Sequence, residues 1–314
     1  MAKKLIRTDA DIKEAVDAWC TSRAAAEEKF GQISEWECSE VTNMEGLFSR
    51  QREFNDDISK WDVSNVFTME SMFKQCESFN INISMWKTSK VTTFRSMFEN
   101  AKSYNQPIEN WDIASCTRFE FMFDSASKFN QPLNNLNVSK GSHFFCMFSG
   151  ALTFNQDLSK WDMSSATDLS CMFMNAASFN QPLQNWNVSN VTDFGHMFKA
   201  SAKNKTNENP AGESAFNQDI SSWRTVNATI LSGMFENNKV FVQDVSKWSI
   251  KKVTSRNMEK VFANSAFVES PFRAKLTRQL GWHEVAFVEE MTFSTFIYSK
   301  LFGCFGDMGD AVTV

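Results

Sequence analysis

The chain has 314 residues, a formal net charge of −5 and a hydrophobic content of 42%. This content is enough for a sizeable core, and the acidic balance argues against a nucleic-acid-binding protein, which would show a basic face. The composition includes 31 Phe, 16 Met and 10 Trp but only 2 Tyr. One aromatic residue type must therefore fill many equivalent positions.

Residues 1–31 predict an N-terminal helical cap, because Ile12, Val16 and Trp19 follow helical spacing. Acidic residues at positions 9, 11 and 14 interrupt this stretch before an apolar run forms, so no secretory signal is predicted. No run reaches the roughly 18 apolar residues of a membrane span. The seven cysteines are odd in number and scattered, which does not indicate an extracellular disulfide framework. These features predict an intracellular protein, in the cytoplasm or an organelle.

A repeat of 25 residues occupies residues 32–268 in about nine copies, with an insertion near residues 203–214. Each copy has a Phe that usually follows Met and a second aromatic residue six positions later. It also has a position that is usually Trp, three residues after an aliphatic residue. A period between about 20 and 50 residues is typical of solenoids. The first Phe recurs at Phe48, Phe73, Phe98, Phe123, Phe148, Phe173, Phe198, Phe235 and Phe262.

Each copy is predicted to contain a short parallel strand and a short helix or helical turn. The Trp-x-Val segment alternates apolar and polar residues, which suits a strand. From Thr167 the apolar positions fall three or four apart, which suits one or two turns of helix with Thr167 and Asp168 at its N-cap. One copy cannot bury its Trp and two Phe alone, whereas stacked copies cover one another. The repeat therefore predicts a solenoid.

Residues 269–314 predict a C-terminal helical cap or tail, because the repeat ends at about Pro271. The tail is more apolar than a solvent-facing helix requires, and three roles stay open: a cap, docking onto a partner protein, or contact with a membrane surface. Glu289 and Glu290 oppose burial in lipid. The tail residues predicted to contact a partner are Phe293, Phe296, Ile297, Leu301 and Phe302.

The segment FNQPLQNWNVSNVTDFGHMF, residues 179–198, resembles the 25-residue repeat of the BspA-like, or DUF285, family, a relative of leucine-rich repeats. The N-terminal lead-in also looks like that of algal and other protist members. The resemblance implies a leucine-rich-repeat-like solenoid. It also implies a role at a surface or in protein interactions, because that is how family members are mostly described.

The residue between Trp and Val in each copy is predicted to face solvent. If these residues lie on the exposed strand face, they form a polar strip that contacts a partner. The alternative is that the Asp and Asn side chains cap the turn that follows. The candidate contact residues are Asp62, Asp112, Asn137, Asp162 and Asn187.

Two further columns are defined by the repeat. An Asn follows the second aromatic residue in most copies, as at Asn130, and is predicted to form a buried amide ladder. Cys146, Cys171 and His196 share the position before the Met-Phe pair in neighbouring copies. Neighbours there lie within the Cα separation that a disulfide bridges, whereas a straight column of three does not suit zinc. Simple packing, a Cys146–Cys171 bridge and a metal all stay open.

No enzyme signature is found, because the sequence has three His and no phosphate-binding Gly-rich loop, HExxH or Gly-x-Ser-x-Gly motif. We therefore predict a non-catalytic protein-interaction scaffold or accessory subunit of a larger assembly, without metal or cofactor. Its partners would be proteins rather than nucleic acid, and no transmembrane segment is predicted. The alternative is a surface-displayed adhesion or ligand-binding protein.

Overall fold

The computed structural model describes residues 5–201 and 214–279. Most of the predicted insertion and the tail beyond residue 279 lie outside these ranges. Within them, no helix combines the length and apolar character that crossing a membrane requires. The helices and strands are β1 (Ile6–Thr8), α1 (Ile12–Thr21), α2 (Arg23–Phe30), β2 (Glu37–Glu40) and α3 (Arg273–Gln279), with 3-10 turns at Ile33–Glu35, Arg256–Met258 and Ala266–Glu269.

The N-terminal region completes the first copy of the repeat. Helix α1 buries Ile12, Val16 and Trp19, as their spacing predicts. The Asp9 carboxylate accepts hydrogen bonds from the backbone N–H of Thr42 at 2.7 Å and of the following residue at 3.0 Å. In later copies the N–H at the position of Thr42 donates instead to a carbonyl of the preceding copy. Asp9 therefore supplies the acceptor that a preceding copy would provide.

Successive copies lie side by side and pair in parallel. After each bridge, alternate N–H groups donate to the next copy, as Phe148 N does to the Met172 carbonyl at 2.9 Å. Because these N–H groups after the bridge all donate to the next copy, the same hydrogen bonds repeat from copy to copy. The residues that form the parallel bridges are Asn43, Thr68, Thr93, Arg118, His143, Asp168, Asp193 and Ile230.

The position of this pairing differs from the predicted strand. In the first copy the segment after Trp36 is strand β2, which pairs with β1. In the other described copies the Trp-x-Val segment is not a strand. Its N–H groups are used locally, since Trp161 N donates to the Leu158 carbonyl at 3.1 Å. The pairing therefore occurs further along the copy, at the bridge residue.

The predicted helix after Thr167 is also replaced, in this case by consecutive turns. Cys171 and Asn175 have φ angles of +55° and +58°. A right-handed helix requires φ near −63°, so a residue with positive φ at every fourth position prevents it. The three-or-four spacing of apolar residues arises here from turns that direct side chains inward at similar intervals.

The aromatic columns form the core. Phe73 stacks on Phe79 of its own copy, with ring centroids 3.9 Å apart, and on Phe98 of the next copy at 5.7 Å. The Trp column is buried, which confirms its predicted inward orientation. From Trp61 onward, each indole N–H of the column donates to the preceding copy, as Trp161 Nε1 does to the Leu133 carbonyl at 2.9 Å. Burial of such side chains contributes roughly 1.5–3 kcal/mol each.

The Asn column is an amide ladder, but it is partly exposed rather than buried. The Asn130 Oδ1 atom accepts from the N–H of Asn155 at 2.9 Å and from Gln156 Nε2 at 3.0 Å. The Asn130 N–H donates in turn to Asn105 Oδ1 at 2.9 Å. Each Asn therefore provides the acceptor for a backbone N–H that faces away from the stacked turns.

Candidate interaction surface

The polar strip predicted from the sequence is exposed, and its side-chain oxygens are engaged in turns. Asp162 Oδ1 accepts from the N–H of Ser164 at 2.9 Å, and Asn137 Oδ1 accepts from Ser139 at 3.1 Å. The hydrogen bonds from Ser164 also lower the pKa of Asp162. The same bond to the residue two positions later is made by Asp62, Asp112 and Asn187.

The strip therefore has the turn-capping role that the sequence allowed, and partner contact by these residues stays a prediction. The five tail residues predicted to contact a partner, Phe293, Phe296, Ile297, Leu301 and Phe302, lie outside the described residues.

A second surface was not identified by sequence reasoning. We call it the bridge face: in each copy it consists of the bridge residue and the residues two, three and six positions after it. In the copy that contains Trp161 these are Asp168, Ser170, Cys171 and Met174. The residue three positions after the bridge has a φ angle between +54° and +61° from Gly46 to Gly233. The backbone geometry of the bridge face is thus the same in copy after copy.

The side chains on the bridge face, in contrast, change from copy to copy. At the position with positive φ, the described copies contain residues of very different size. Non-Gly residues are uncommon at positive φ, and bulky ones are strained there. The residues at this position are Gly46, Ser71, Ser96, Phe121, Cys146, Cys171, His196, Gly233 and Lys260.

An apolar patch occupies the middle of the bridge face. Phe121 and Phe145 come from neighbouring copies and meet edge to face, with ring centroids 4.8 Å apart. Both rings are half-buried. Met174, in the copy after that of Phe145, is also half-buried. Cys146 and Cys171 lie on the same face between them in sequence order. The patch is therefore apolar and polarizable, unlike the charged residues on either side of it.

Ion pairs cover the bridge face on the N-terminal side of the patch. Arg95 pairs with Glu70 of the preceding copy at 2.9 Å, and Lys74 pairs with Glu99 of the next copy at 2.8 Å. On the C-terminal side, Lys199 pairs with Glu236 at 2.7 Å. These pairs link adjacent copies and leave the apolar patch as a separate feature.

One acceptor atom beside the patch has no hydrogen-bond partner. Glu120 is buried, and its Oε1 atom accepts from the Arg118 guanidinium at 3.0 Å. Its Oε2 atom is buried without a partner. A buried polar atom without a partner costs about 1–3 kcal/mol, so it calls for an explanation.

Three carboxylates border the patch without forming an ion pair in the described part of the chain: Asp124, Asp168 and Asp193. Burial raises the pKa of Asp124 to about 6, and the nearby Glu99 adds to the effect. Burial also raises the pKa of Asp193, and Asp168 adds to that shift. The border of the patch is consequently acidic.

His196 lies at the C-terminal edge of the patch, over a glycine of the next copy. A Cβ atom on Gly233 would come within 2.2 Å of His196 Nδ1, so the ring requires glycine there. The same Nδ1 atom has no hydrogen-bond partner and lies 4.0 Å from Glu236 Oε2. Burial and the nearby Lys199 lower the pKa of His196, although Glu236 opposes this shift. These shifts favour the neutral form of the imidazole.

Among the residues that the structure describes, no cluster of three or more His, Cys, Asp or Glu side chains could hold a metal ion. The metal alternative for the Cys146, Cys171 and His196 column therefore gains no support from the geometry. Clefts do occur at the N-terminal end, and one of about 370 Å³ lies between α1 and the first copy. Arg23 and the Trp19 indole N–H both bind Asp56 in this cleft, at 2.6 and 2.9 Å, and so hold the cap on the repeat.

A comparison with known protein families matches three successive segments of the chain, in agreement with its repeated structure. A family described as "Mycoplasma protein of unknown function, DUF285" matches residues 17–132, 107–211 and 211–274. The chain belongs to the DUF285 family. The match includes the residues of the bridge face and of the aromatic core in the described copies. No curated protein and no solved structure matches this DUF285 chain.

Proposed function

We propose that this DUF285 protein is a non-catalytic scaffold or accessory subunit, built as a solenoid of stacked copies, that binds a protein partner through its bridge face. The observation that carries the proposal is the half-exposed apolar patch of Phe121, Phe145 and Met174 on a surface with regular backbone geometry. Fully buried cores of protein interfaces are enriched in Phe and Met.

The variation among copies supports this choice of surface. In a repeat protein, stacking requires the same kinds of residue in every copy. The Phe, Trp and Asn columns meet this requirement, and the strip residues serve local turns. On the bridge face the backbone conformation repeats while the side chains differ among copies. Stacking therefore does not determine these side chains, and they can match a partner. Half-exposed Phe rings at a strained position such as Phe121 are otherwise unfavourable for a monomer.

The charges near the patch indicate the chemistry of the partner. Asp124, Asp168 and Asp193 form no ion pair within the described chain and favour a basic segment. Glu120 Oε2 is an acceptor that a donor from the partner would satisfy. The best-suited ligand is a protein segment that presents an apolar side chain next to Lys or Arg.

The repeat provides substitutions that test the patch with little risk to the fold. Ser occupies the position of Phe121 in two earlier copies, at Ser71 and Ser96, and the position of Phe145 in the next copy, at Ser170. The double variant Phe121→Ser, Phe145→Ser therefore uses residues that this backbone already accepts. Tagged full-length protein and this variant are compared by quantitative native co-purification.

We expect the double variant to lose at least about 90% of the stoichiometric partner, since central aromatic anchors carry 2 kcal/mol or more of binding energy. The matched control is Asp112→Asn, Asp162→Asn on the strip, where Asn occurs naturally in other copies, and we expect it to retain the partner. Loss of the partner from the control alone would move the contact to the strip. Loss only after truncation at residue 279 would move it to the tail.

The proposal also includes an intracellular location, and a relationship of this chain to the BspA-like proteins and to their algal and protist members. Surface display as an adhesin is the competing function. Protease treatment of intact cells that produce the full-length tagged chain separates the two. Digestion only after lysis supports the intracellular subunit, whereas digestion on intact cells supports the adhesin.

A further inference from the structure

Cys146 and Cys171 occupy the same position in neighbouring copies and have matching backbones. Their φ angles are +54° and +55°. Cys146 N donates to the Ser170 carbonyl at 3.0 Å, and Cys171 N donates to the Gly195 carbonyl at 2.8 Å, so both copies carry the same hydrogen-bond register. Hydrogen-bonded parallel chains lie about 4.8 Å apart, within the Cα separation of about 4.4–6.8 Å that a disulfide spans.

The side chains of Cys146 and Cys171 are close enough for each thiol to shift the pKa of the other. Cys171 is half-buried and therefore accessible to a small reagent, whereas Cys146 is buried. The other described cysteines are Cys20, Cys38, Cys76 and Cys116, and burial raises their pKa values to about 11 or 12.

The two thiols have different chemical characters. The hydrogen bond from Cys146 lowers the pKa of Cys171, and the nearby Lys199 acts in the same direction against burial, Asp168 and Asp193. The pKa of Cys146 is raised, first by the same hydrogen bond and then by burial. Cys171 is the more exposed of the two thiols and its thiolate, the reactive form, is favoured, so Cys171 is the nucleophile and Cys146 the resolving thiol.

We propose that Cys146 and Cys171 form a reversible dithiol–disulfide pair that is oxidised by a low-molecular-weight disulfide such as oxidised glutathione. The Cys171 thiolate attacks one sulfur of the reagent, a mixed disulfide forms, and one glutathione thiolate leaves. Cys146 then loses its proton to solvent and attacks the Cys171 sulfur, and the second glutathione thiolate leaves. The protein loses two electrons to the reagent, which is reduced to two glutathione molecules.

The inference is independent of the proposed partner, because it rests on the two cysteines alone. The new bond would join two copies on the bridge face, next to the apolar patch. Its formation therefore also changes the surface that a bound protein would contact.

The first test maps thiols in the full-length protein after equilibration with oxidised glutathione, by isotope-coded alkylation and mass spectrometry. We expect the wild-type chain to lose two alkylatable thiols and to yield one linked peptide pair containing Cys146 and Cys171, both reversed by dithiothreitol. Cys116→Ala is the matched control, because Ala166 holds the same position two copies further along, and it should behave like wild type.

The single variants assign the two roles. Cys146→Ser should accumulate a stable glutathione adduct on Cys171 and no linked peptide. Cys171→Ser should form any adduct at Cys146 at least about tenfold more slowly, because the nucleophile is missing. Both substitutions use Ser, which Ser71 and Ser96 show at this position. The proposal is overturned if folded wild-type protein keeps both thiols alkylatable, or if the linked peptides contain other cysteines.

A trivalent arsenical such as phenylarsine oxide tests the juxtaposition without an oxidant, because it bridges two neighbouring thiols. We expect one equivalent to bind to wild type and to Cys116→Ala, and none to either Ser variant. Equal binding by wild type and the Ser variants would contradict the contact between the two sulfurs. Circular dichroism of each variant shows whether a loss of reactivity reflects unfolding.

Discussion

The aromatic interior and the bridge face differ in how they use the same repeat. In the interior, the Phe at the position of Phe123 stacks on the Phe of the next copy, and Trp161 makes the same indole hydrogen bond as Trp186 in the next copy. On the bridge face the backbone repeats equally well, but Phe121, Cys171 and His196 occupy one position in different copies. The difference indicates that the interior and the backbone bonds determine the fold, while the bridge face is available for function.

The largest effect is expected from truncation in the interior. Trp161→Ala removes a buried indole and its hydrogen bond to the Leu133 carbonyl, and it should lower the free energy of unfolding by about 3–5 kcal/mol. Urea denaturation followed by circular dichroism measures the change. Trp161→Leu is the matched control, because Leu136 fills this position one copy earlier, and it should cost about half as much. A loss below about 1 kcal/mol for the Ala variant would contradict the importance of the Trp column.

The amide ladder should be the next most sensitive feature. Asn130→Ala removes the acceptor for Asn155 N and Gln156 Nε2, and should cost about 1–3 kcal/mol because the backbone N–H loses its partner. Gln156→Ala is the control and should cost less than about 1 kcal/mol, since the Asn155 N–H keeps its acceptor and only the Asn130 carbonyl and Oδ1 lose the Gln156 donor. Equal costs in urea denaturation would show that the ladder does not depend on its Asn oxygen.

A pH dependence distinguishes the bridge face from the exposed strip. Because burial raises the pKa of Asp124 to about 6, its ionised form is unfavourable in the folded protein. The stability that its neutral form contributes is present below the unfolded pKa of 3.8 and is lost as the pH rises through 6. Asp124→Asn should therefore stabilise the protein by about 1–2 kcal/mol at pH 7.5 but have almost no effect near pH 4.

The control for this prediction is Asp162→Asn on the strip. Hydrogen bonds from Ser164 lower the pKa of Asp162, so its ionised form is favoured in the folded state. Its stabilising contribution is present above the unfolded pKa and is lost as the pH falls through the folded pKa. Asp162→Asn should therefore be neutral or slightly destabilising at pH 7.5. A stabilising effect of similar size in both variants would contradict the assignment to burial.

The smallest predicted change lies in the interior. Tyr104 takes the place of a Phe in the second aromatic column, and its hydroxyl group is buried without a hydrogen-bond partner. Tyr104→Phe should raise the free energy of unfolding by about 1 kcal/mol, because an unpaired buried polar group is removed while the stack with Phe98 is kept. A decrease, measured by urea denaturation, would indicate that the hydroxyl group has a partner in solution.

The sequence predicted the interior better than the surface, for a physical reason. Burial selects for apolar side chains, so the Phe and Trp columns are visible as a period of 25 residues. A positive φ angle is a weaker signal in the sequence, because only Gly46 and Gly233 indicate it at this position. Side chains such as Phe121 and Cys171 gave no such signal, and a helix was predicted where turns occur.

The site prediction had the same limitation. The strip was selected because alternation places residues such as Asp162 outward, but alternation does not reveal that its oxygen caps the following turn. The bridge face could have been found by asking which positions vary among copies while their neighbours repeat. The contact between Cys146 and Cys171 required the register of adjacent copies, which the period did supply.

The most direct test of the account measures stability and binding on the same variant. For Phe121→Ser, Phe145→Ser, we predict a free energy of unfolding within about 1 kcal/mol of wild type, because both rings are half-buried and Ser is accepted at both positions. Partner recovery in native co-purification should fall by at least about 90%. A loss of 3 kcal/mol or more would assign the patch to the fold. Unchanged recovery with unchanged stability would contradict the proposal that the bridge face binds the partner.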